Sequence, residues 1–219
     1  MSQAFDLIVF DWDGTLMDST AHITRAIQHA CADLGLAVPD ARQARAVIGL
    51  SLAEALATAC PDLPPDRYPE MVTAYRNHFF IGDEEVDLFA GVDAALAELS
   101  AGSALLAVAT GKSRRGLERA LTATGLARTF AATRTQDDCP SKPHPAMLLE
   151  LMDQLGAAPG RTLMVGDTTH DLRMAEAAGT LAAGVLSGAH TREELATCPT
   201  LGLFEDFEAF YAWLKTQTT

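Results

Sequence analysis

Three aspartates follow the first short apolar stretch of the chain, Leu7–Phe10. The segment DWDGTLMD places Asp11, Asp13 and Asp18 around a Gly-Thr pair. Asp and Gly are both poor strand residues, so the apolar run must end here. A turn needs only one such residue, whereas two carboxylates beside each other can act as a nucleophile and as a general acid and base. The second carboxylate is therefore more than a turn requires.

Polar residues also end two later apolar stretches. Thr110 ends the run in LLAVATGKS, and Asp167 ends the run in TLMVGDTTHDL, with Asp171 four residues further on. Ligands of open α/β sheets bind at the carboxyl ends of the strands, so these distant residues are expected to converge on one crevice. Any one of them could instead cap the following helix, but the joint pattern favours a site.

The elements that must position these residues alternate along the chain. Short apolar runs typical of strands buried on both faces lie at Leu7–Phe10, Leu105–Ala109, Thr162–Val165 and Leu181–Leu186, with a weaker one near Leu201–Phe204. Amphipathic helical patterns separate them, at Val92–Leu99, Ser113–Thr124, Ala146–Leu155 and Leu172–Ala178. This alternation predicts an α/β fold with a parallel sheet and right-handed crossovers.

One stretch, from about Ser19 to Phe80, interrupts the alternation. It contains no convincing strand, and its helical patterns lie at Ala21–Leu34, Ala41–Val47, Leu52–Ala59 and Tyr68–Phe80. The simplest interpretation is a helical insertion, residues 18–88, between the first strand and the rest of the sheet. The core would then comprise residues 1–17 and 89–219.

Composition is that of an ordinary soluble globular protein, with 219 residues of which 48% are hydrophobic and 21% charged. The net charge of −13 argues against a nucleic-acid partner, whose phosphates are bound by Lys and Arg. No apolar run reaches the ~18 residues of a membrane helix, and no signal peptide precedes the first strand, so we expect a cytoplasmic protein without a membrane partner.

The cysteines form no CxxC pair, and reduced, buried thiols are expected at Cys31, Cys60, Cys139 and Cys198.

In order and approximate spacing, these motifs resemble the four motifs of the haloacid dehalogenase superfamily. The matching segments are DWDGT at Asp11, Thr110 after a strand, Lys142 in SKPHP, and GDTTHD at Asp167–Asp171. The resemblance covers the whole chain, and within the superfamily the chain is most similar to the phosphoglycolate phosphatase group. It implies a Rossmann-like catalytic core with the helical stretch as its inserted cap.

The resemblance implies a phosphatase that acts on a small phosphorylated metabolite through an aspartyl-phosphate intermediate. Asp11 is expected to be the nucleophile, and Asp13 the acid that protonates the leaving oxygen and then the base that activates water. Two carboxylates would repel a phosphate dianion, and Mg²⁺ resolves this repulsion because it prefers oxygen ligands. Its expected ligands are Asp11, Asp167 and, through the backbone carbonyl, Asp13.

Phosphate binding is expected from four residues. Gly14 lets the backbone approach closely, Thr110 and the N–H of Gly111 offer donors beside a helix N-terminus, and Lys142 supplies a fixed positive charge. Asp171 is expected to hold a metal-bound water or Lys142, and a simple N-cap is the alternative.

Other residues near the motifs have simpler interpretations. We expect the side chains of Lys112, Arg114 and Arg115 to be solvated at the surface. His170 is expected to be a solvated loop residue, and Trp12 is expected to pack in the core. The loop IGLS at residues 48–51 is expected to reach into the crevice, with hinges of the cap near residues 16–19 and 87–91. Four arginines of the cap could bind a substrate carboxylate or could be solvated: Arg25, Arg42, Arg45 and Arg76.

Other chemistries of the superfamily fit less well. Asp13 argues against dehalogenation, since a halide leaves without a proton, and the absence of lysine from residues 19–80 argues against an imine-forming phosphonatase. A sugar phosphomutase of the β-phosphoglucomutase type is an alternative, weakened by Leu52 where such mutases typically carry an arginine. An alternative of another class is a phosphoryl-binding signalling module resembling a receiver domain, although such modules are shorter and lack the second aspartate. A monomer or a homodimer is expected.

Overall fold

A parallel sheet forms the centre of the computed structural model, which describes residues 5–81 and 86–217. Within these residues its six strands are Leu7–Phe10 (β1), Leu105–Ala109 (β2), Ala132–Arg134 (β3), Thr162–Gly166 (β4), Leu181–Val185 (β5) and Leu203–Phe204 (β6). The strand order is β3-β2-β1-β4-β5-β6, and every neighbouring pair is parallel. Because β2 and β4 lie on opposite sides of β1, the strand order reverses beside β1, which is where ligands of such sheets bind.

Helices make up most of the rest of the described chain. They are Thr20–Asp33 (α1), Ala41–Arg45 (α2), Leu52–Ala59 (α3), Tyr68–Ile81 (α4), Val92–Ser100 (α5), Arg114–Ala123 (α6), Ala146–Leu155 (α7), Thr169–Ala178 (α8), Arg192–Leu195 (α9) and Phe207–Gln217 (α10). None of the helices in the described ranges is both long enough and apolar enough to cross a membrane.

Apolar side chains cover both faces of the sheet, as the uninterrupted apolar runs of its strands predict. Alternate residues of β1 point to opposite faces: Ile8 and Phe10 join one buried cluster, and Leu7 and Val9 join another. Trp12 also lies in the first cluster and is fully buried, as expected from its apolar ring. The α/β fold with a Rossmann-like parallel sheet is therefore confirmed.

Helices α1–α4, which lie between β1 and β2 in the chain, pack around an apolar cluster of their own that includes Leu56. The two chain crossings that connect them to the sheet are hydrogen-bonded to each other. Asp18 N–H donates to the Asp87 carbonyl at 3.0 Å, and Phe89 N–H donates to the Leu16 carbonyl at 2.9 Å. The helical segment therefore leaves and rejoins the sheet at adjacent points.

Several elements differ from the sequence expectations. Strand β3 was not predicted, because it is a three-residue edge strand whose Thr133 and Arg134 are only half-buried and break any apolar run. Helices α9 and α10 were also not predicted. Helix α8 begins at Thr169, three residues before the apolar pattern starts, because Thr168 caps its N-terminus with a side-chain hydrogen bond.

All four cysteines are buried and free, as expected. The sequence did not indicate that two of them meet. The Sγ atoms of Cys31 and Cys60 lie 2.9 Å apart within the cluster of α1–α4.

Candidate active site

Asp11 follows directly after β1 and is fully buried. Its N–H donates to the Val165 carbonyl of β4 at 2.9 Å, which holds the backbone in the centre of the sheet. Burial raises the pKa of its carboxyl to about 7, although the Lys142 ammonium group opposes that rise. Oδ1 lies 2.8 Å from Lys142 Nζ as an ion pair, yet neither oxygen accepts a hydrogen bond of ordinary geometry from the described residues. A buried carboxylate with unused oxygens is available to a ligand.

Lys142 lies in the loop before α7 and is also buried. Its Nζ is 2.8 Å from Asp11 Oδ1 and 2.7 Å from Asp171 Oδ1. Burial alone would lower its pKa, but the charges of Asp11 and Asp171 outweigh burial and raise it. The ammonium group is therefore a permanent positive charge beside Asp11.

Asp167 follows β4, on the strand next to that of Asp11. Its Oδ1 accepts a hydrogen bond from Thr15 Oγ1 at 2.8 Å, and its Oδ2 accepts one from Ala189 N–H at 2.8 Å. Burial, and then the charges of Asp11 and Asp171, raise its pKa well above the usual value for an aspartate. Thr15 was not predicted as part of the site, although it lies within the DWDGT segment.

Asp171 lies in the first turn of α8. Its Oδ2 accepts hydrogen bonds from Thr168 N–H at 3.1 Å and from Thr168 Oγ1 at 2.7 Å, while its Oδ1 contacts Lys142. Thr168 is the N-cap and Asp171 is the third helical residue of a capping box, so the alternative that Asp171 is itself the N-cap is wrong. Both of its oxygens already have partners in the protein.

The three aspartates form a cluster that suits a divalent cation. Asp11, Asp167 and Asp171 each offer one oxygen, and these atoms all lie within 4.8 Å of one another. Lys142 pairs with two of the three carboxylates, Asp11 and Asp171, so the cluster holds more carboxylates than this one ammonium group balances, and it offers the oxygen donors that Mg²⁺ prefers. Asp167 and Asp171 each accept hydrogen bonds through both oxygens, whereas Asp11 accepts none of ordinary geometry from the described residues.

The side chain of Asp13 turns away from this cluster. Its Oδ1 accepts a hydrogen bond from Ser19 Oγ at 2.6 Å and one from Lys112 Nζ at 2.9 Å. Its carboxylate is not among those within reach of a common ion. Any contribution of Asp13 to metal binding therefore falls to its backbone carbonyl.

Lys112 was expected to be solvated, and this prediction is wrong. Its side chain is only 10% exposed, since it pairs with Asp13 and lies 5.1 Å from the centre of the Phe79 ring on α4. This geometry is a cation–π contact. A signal for the site was present in the sequence, because Lys112 comes two residues after Thr110 at the same strand end.

Two further expectations of simple solvation are also wrong. Arg114 is partly buried and pairs with the Asp138 carboxylate, whereas Arg115 is exposed as expected. His170 lies in α8 and not in a loop, with its Nε2 3.1 Å from the Ala46 carbonyl of the helical segment. Burial lowers the pKa of this histidine.

Of the residues expected to bind phosphate, Lys142 contacts Asp11 and Gly14 lies against Asp167. Gly14 has a φ of 81°, and a Cβ there would lie 2.2 Å from Asp167 Oδ2, so only glycine fits. Thr110 is buried at the end of β2. A Cβ on the next residue, Gly111, would lie 2.3 Å from the Leu50 carbonyl, so the backbone of the helical segment rests directly on this glycine.

The loop 48–51, between α2 and α3, covers the cluster. A Cβ at Gly49 would lie 3.9 Å from Asp11 Oδ2. The end of the loop is anchored to the core, since Ser51 N–H donates to Ser141 Oγ at 2.9 Å and Leu52 N–H donates to Gln136 Oε1 at 2.7 Å. The loop is therefore placed to exclude water from Asp11.

Comparisons with known proteins agree with this geometry. The family of haloacid dehalogenase-like hydrolases matches residues 8–185. The chain is 41% identical over 197 residues to a probable phosphatase, IndB, of Dickeya dadantii (86% of this chain, 84% of that protein). It is 32% identical over 217 residues to a phosphoglycolate phosphatase of Rhodospirillum rubrum (94% and 90%). A crystal structure of a predicted phosphoglycolate phosphatase from Haemophilus somnus superposes with a TM-score of 0.81 at 28% identity and covers 100% of both chains. The buried aspartates, the lysine between them and these matches together establish that the chain belongs to the haloacid dehalogenase-like hydrolases.

Proposed function

We propose that this protein is a Mg²⁺-dependent phosphatase that hydrolyses a small phosphorylated metabolite through an aspartyl phosphate on Asp11. The observation that carries the proposal is the environment of Asp11: a fully buried carboxylate that accepts no hydrogen bond of ordinary geometry from the described residues, with Oδ1 2.8 Å from the buried Lys142 ammonium group. Phosphoryl transfer needs a placed nucleophile and positive charge around the transferred group. The relatives named as phosphatases support this reaction class.

In the first step, an Asp11 oxygen forms a bond to phosphorus as the bond from phosphorus to the alcohol oxygen breaks. Asp13 gives its proton to that leaving oxygen, and Ser19 and Lys112 hold the carboxyl in place. In the second step, Asp13 takes a proton from water as the water oxygen bonds to phosphorus. The bond from phosphorus to the Asp11 oxygen breaks, which releases inorganic phosphate and returns Asp11 as a free carboxylate.

The phosphate oxygens are held by positive charge and by donors at the strand ends. Lys142 supplies the charge, the Thr110 hydroxyl and the Gly111 N–H supply hydrogen bonds, and the absence of a side chain at Gly14 lets its backbone lie close both to Asp167 and to the phosphate. Asp171 acts through Lys142, because their 2.7 Å contact fixes the direction of the ammonium group.

The carboxylates of Asp11 and Asp167, together with the backbone carbonyl of Asp13, would hold Mg²⁺. When bound, the ion neutralises charge on the phosphate and orients it toward the nucleophile. The surplus negative charge of the aspartate cluster supports this assignment.

We assign residues 1–17 and 89–219 to the catalytic core and residues 18–88 to a cap that closes over it. The adjacent hydrogen-bonded crossings at residues 16–18 and 87–89 support a hinge there. The net charge of −13 supports a small metabolite and not a nucleic acid as the partner. Four free thiols suit the cytoplasm, where the protein would act as a monomer or homodimer.

Release of inorganic phosphate from a panel of phosphomonoesters, with wild-type protein and Asp11→Asn, tests the proposal. We expect turnover by the wild type, none by the near-isosteric variant, and a mass increase of one phosphoryl group on Asp11 after rapid acid quench. A phosphomutase would instead transfer the phosphoryl group between hydroxyls, and a signalling module would be labelled once without turnover. Either result, or activity retained in Asp11→Asn, would contradict the proposal.

A further inference from the structure

A cavity with a volume of about 120 Å³ lies between the strand ends and helices α1, α3 and α4. We name it the cap pocket. Asp13, Gly111 and Lys112 line its end nearest the core, and residues 47–50 of the covering loop line another side. It therefore begins at the carboxyl group that, in the proposed reaction, protonates the leaving oxygen. In that reaction, the group bonded to the leaving oxygen would extend from Asp13 into the cap pocket.

The walls of the cap pocket are mainly apolar. Five of its lining side chains are buried hydrophobic residues of the helical segment: Ile23, Ile27, Val47, Ile48 and Ala55. Two aromatic rings of α4 complete this surface, since Tyr75 and Phe79 stack with their centres 5.7 Å apart.

Most of the polar groups in the walls are already engaged. Lys112 pairs with Asp13, and Gln136 Oε1 accepts the Leu52 N–H. All four arginines considered as readers of a substrate carboxylate are exposed, and of these four only Arg76 lines the pocket. A two-carbon hydroxy acid such as glycolate would present a carboxylate to this surface and leave the apolar walls uncovered.

The size and the chemistry of the cap pocket agree. The cap pocket, at about 120 Å³, approaches the roughly 150 Å³ of an apolar cavity that holds benzene, so it is suited to one small ring or a short branched chain. We propose that the alcohol released by this enzyme carries an aromatic or branched hydrocarbon group, seated in the cap pocket, and is not a two-carbon hydroxy acid. This inference rests on the proposed function, because Asp13 sets which end of the substrate enters the pocket.

The wild-type enzyme tests the inference with benzyl phosphate, ethyl phosphate and phosphoglycolate. Benzyl and ethyl alkoxides are similarly poor leaving groups, so a difference in kcat/KM reports recognition of the hydrocarbon group. We expect kcat/KM for benzyl phosphate to exceed that for each of the others by roughly 10- to 100-fold, the usual effect of burying one ring. Equal values, or a preference for phosphoglycolate, would overturn the inference.

A variant that fills the pocket adds a second test. Ala55→Phe places a ring inside the cap pocket, whereas Ala57→Phe adds the same ring on the exposed face of the same helix as a matched control. We expect Ala55→Phe to lose roughly tenfold or more in kcat/KM for benzyl phosphate and to keep the ethyl phosphate value within about twofold, while the control changes neither. A loss for benzyl phosphate that is no larger than that for ethyl phosphate, in a variant with the wild-type circular dichroism spectrum, would count against the pocket.

Binding of phosphonates separates this inference from the proposed function. Benzylphosphonate and methylphosphonate share the anionic group but cannot be hydrolysed. Calorimetry with wild-type protein and Mg²⁺ should give at least roughly tenfold tighter binding of benzylphosphonate, whether or not any ester turns over. If no ester is hydrolysed but this preference holds, the reaction class fails and the pocket assignment stands. If esters are hydrolysed and the two phosphonates bind equally, the pocket assignment fails alone.

Discussion

Lys112 Nζ lies 2.9 Å from Asp13 Oδ1, and the two side chains are only 10% and 11% exposed. The pair connects the loop after β2 to the turn after β1. Lys112 also touches the Phe79 ring of α4, so one side chain joins both strand ends to the helical segment. The proposed acid and base is therefore held by a residue that also contacts the helical segment.

Replacing this lysine should destabilise the protein through Asp13. In Lys112→Met, the mostly buried Asp13 carboxylate keeps the Ser19 hydrogen bond but loses its cation, and we expect the free energy of unfolding to fall by about 1–3 kcal/mol. Urea denaturation measures this change. Arg115→Met is the matched control, because Arg115 is exposed in the same region and its loss should cost less than about 0.5 kcal/mol. In the double variant Lys112→Met/Asp13→Asn, the loss of unfolding free energy should be smaller than the sum of the losses in the two single variants. If the losses simply add, the ion pair contributes nothing to stability.

The role of Asp13 can be separated from a structural role by the leaving group. A nitrophenyl phosphate expels a weak base that needs no proton, whereas an alkyl phosphate expels a strong base that does. In Asp13→Asn, phosphorylation of Asp11 should proceed with the nitrophenyl ester and fail with the alkyl ester, while hydrolysis of the aspartyl phosphate stays slow. Stopped-flow absorbance should therefore show a burst of about one nitrophenol per active site, and mass spectrometry should detect the phosphoenzyme. Equal losses with both esters and no burst would mean that Asp13 does not transfer protons.

The aspartate cluster should bind Mg²⁺ whether or not a substrate is present. An excess of chelator should abolish turnover, and added Mg²⁺ should restore it. The ion relieves repulsion among carboxylates that are buried only in the folded protein, so it should bind the folded state. At a Mg²⁺ concentration of about 100 times Kd, this binding should raise the free energy of unfolding by about 2.7 kcal/mol, and the rise in Tm measures it. Asp167→Asn should lose most of this rise, and Asp93→Asn, on the exposed face of α5, should keep it. Full activity in chelator would contradict the metal assignment.

Gly111 lies in close contact with the covering loop, so adding one methyl group there should lower the activity. In Gly111→Ala the new Cβ would meet the Leu50 and Gly49 carbonyl oxygens at 2.3 and 2.5 Å, so the loop must move outward. We expect kcat/KM to fall by roughly tenfold or more, since a displaced loop admits water and loosens the site. Gly160→Ala is the control, because no atom lies within 4 Å of the Cβ that the substitution would add there. Equal activity of the two variants would show that the loop does not close during turnover.

Much of the core of the fold could be predicted from the sequence because its signals are local. An apolar run buried on both faces, followed at once by Asp or Thr, marks both a strand and its carboxyl end. Asp11, Thr110 and Asp167 therefore could be expected to meet, and the structure brings them to neighbouring strands of one sheet. The helical insertion could be predicted for the same reason, because its apolar residues recur with a helical period.

Tertiary structure alone decided where the side chains of the site point and what they touch. The Asp13 carboxylate accepts hydrogen bonds from Ser19 and Lys112 and is not part of the aspartate cluster, and no local pattern indicated either partner. The thiol contact of Cys31 with Cys60 likewise joins residues that only the packing of helices brings together. The sequence by itself determined the strand ends, and therefore the reactive groups, because burial and turn preferences act over a few residues. The partners of Lys112 and the apolar walls of the cap pocket depend on contacts between segments far apart in the chain, and no local pattern encodes those.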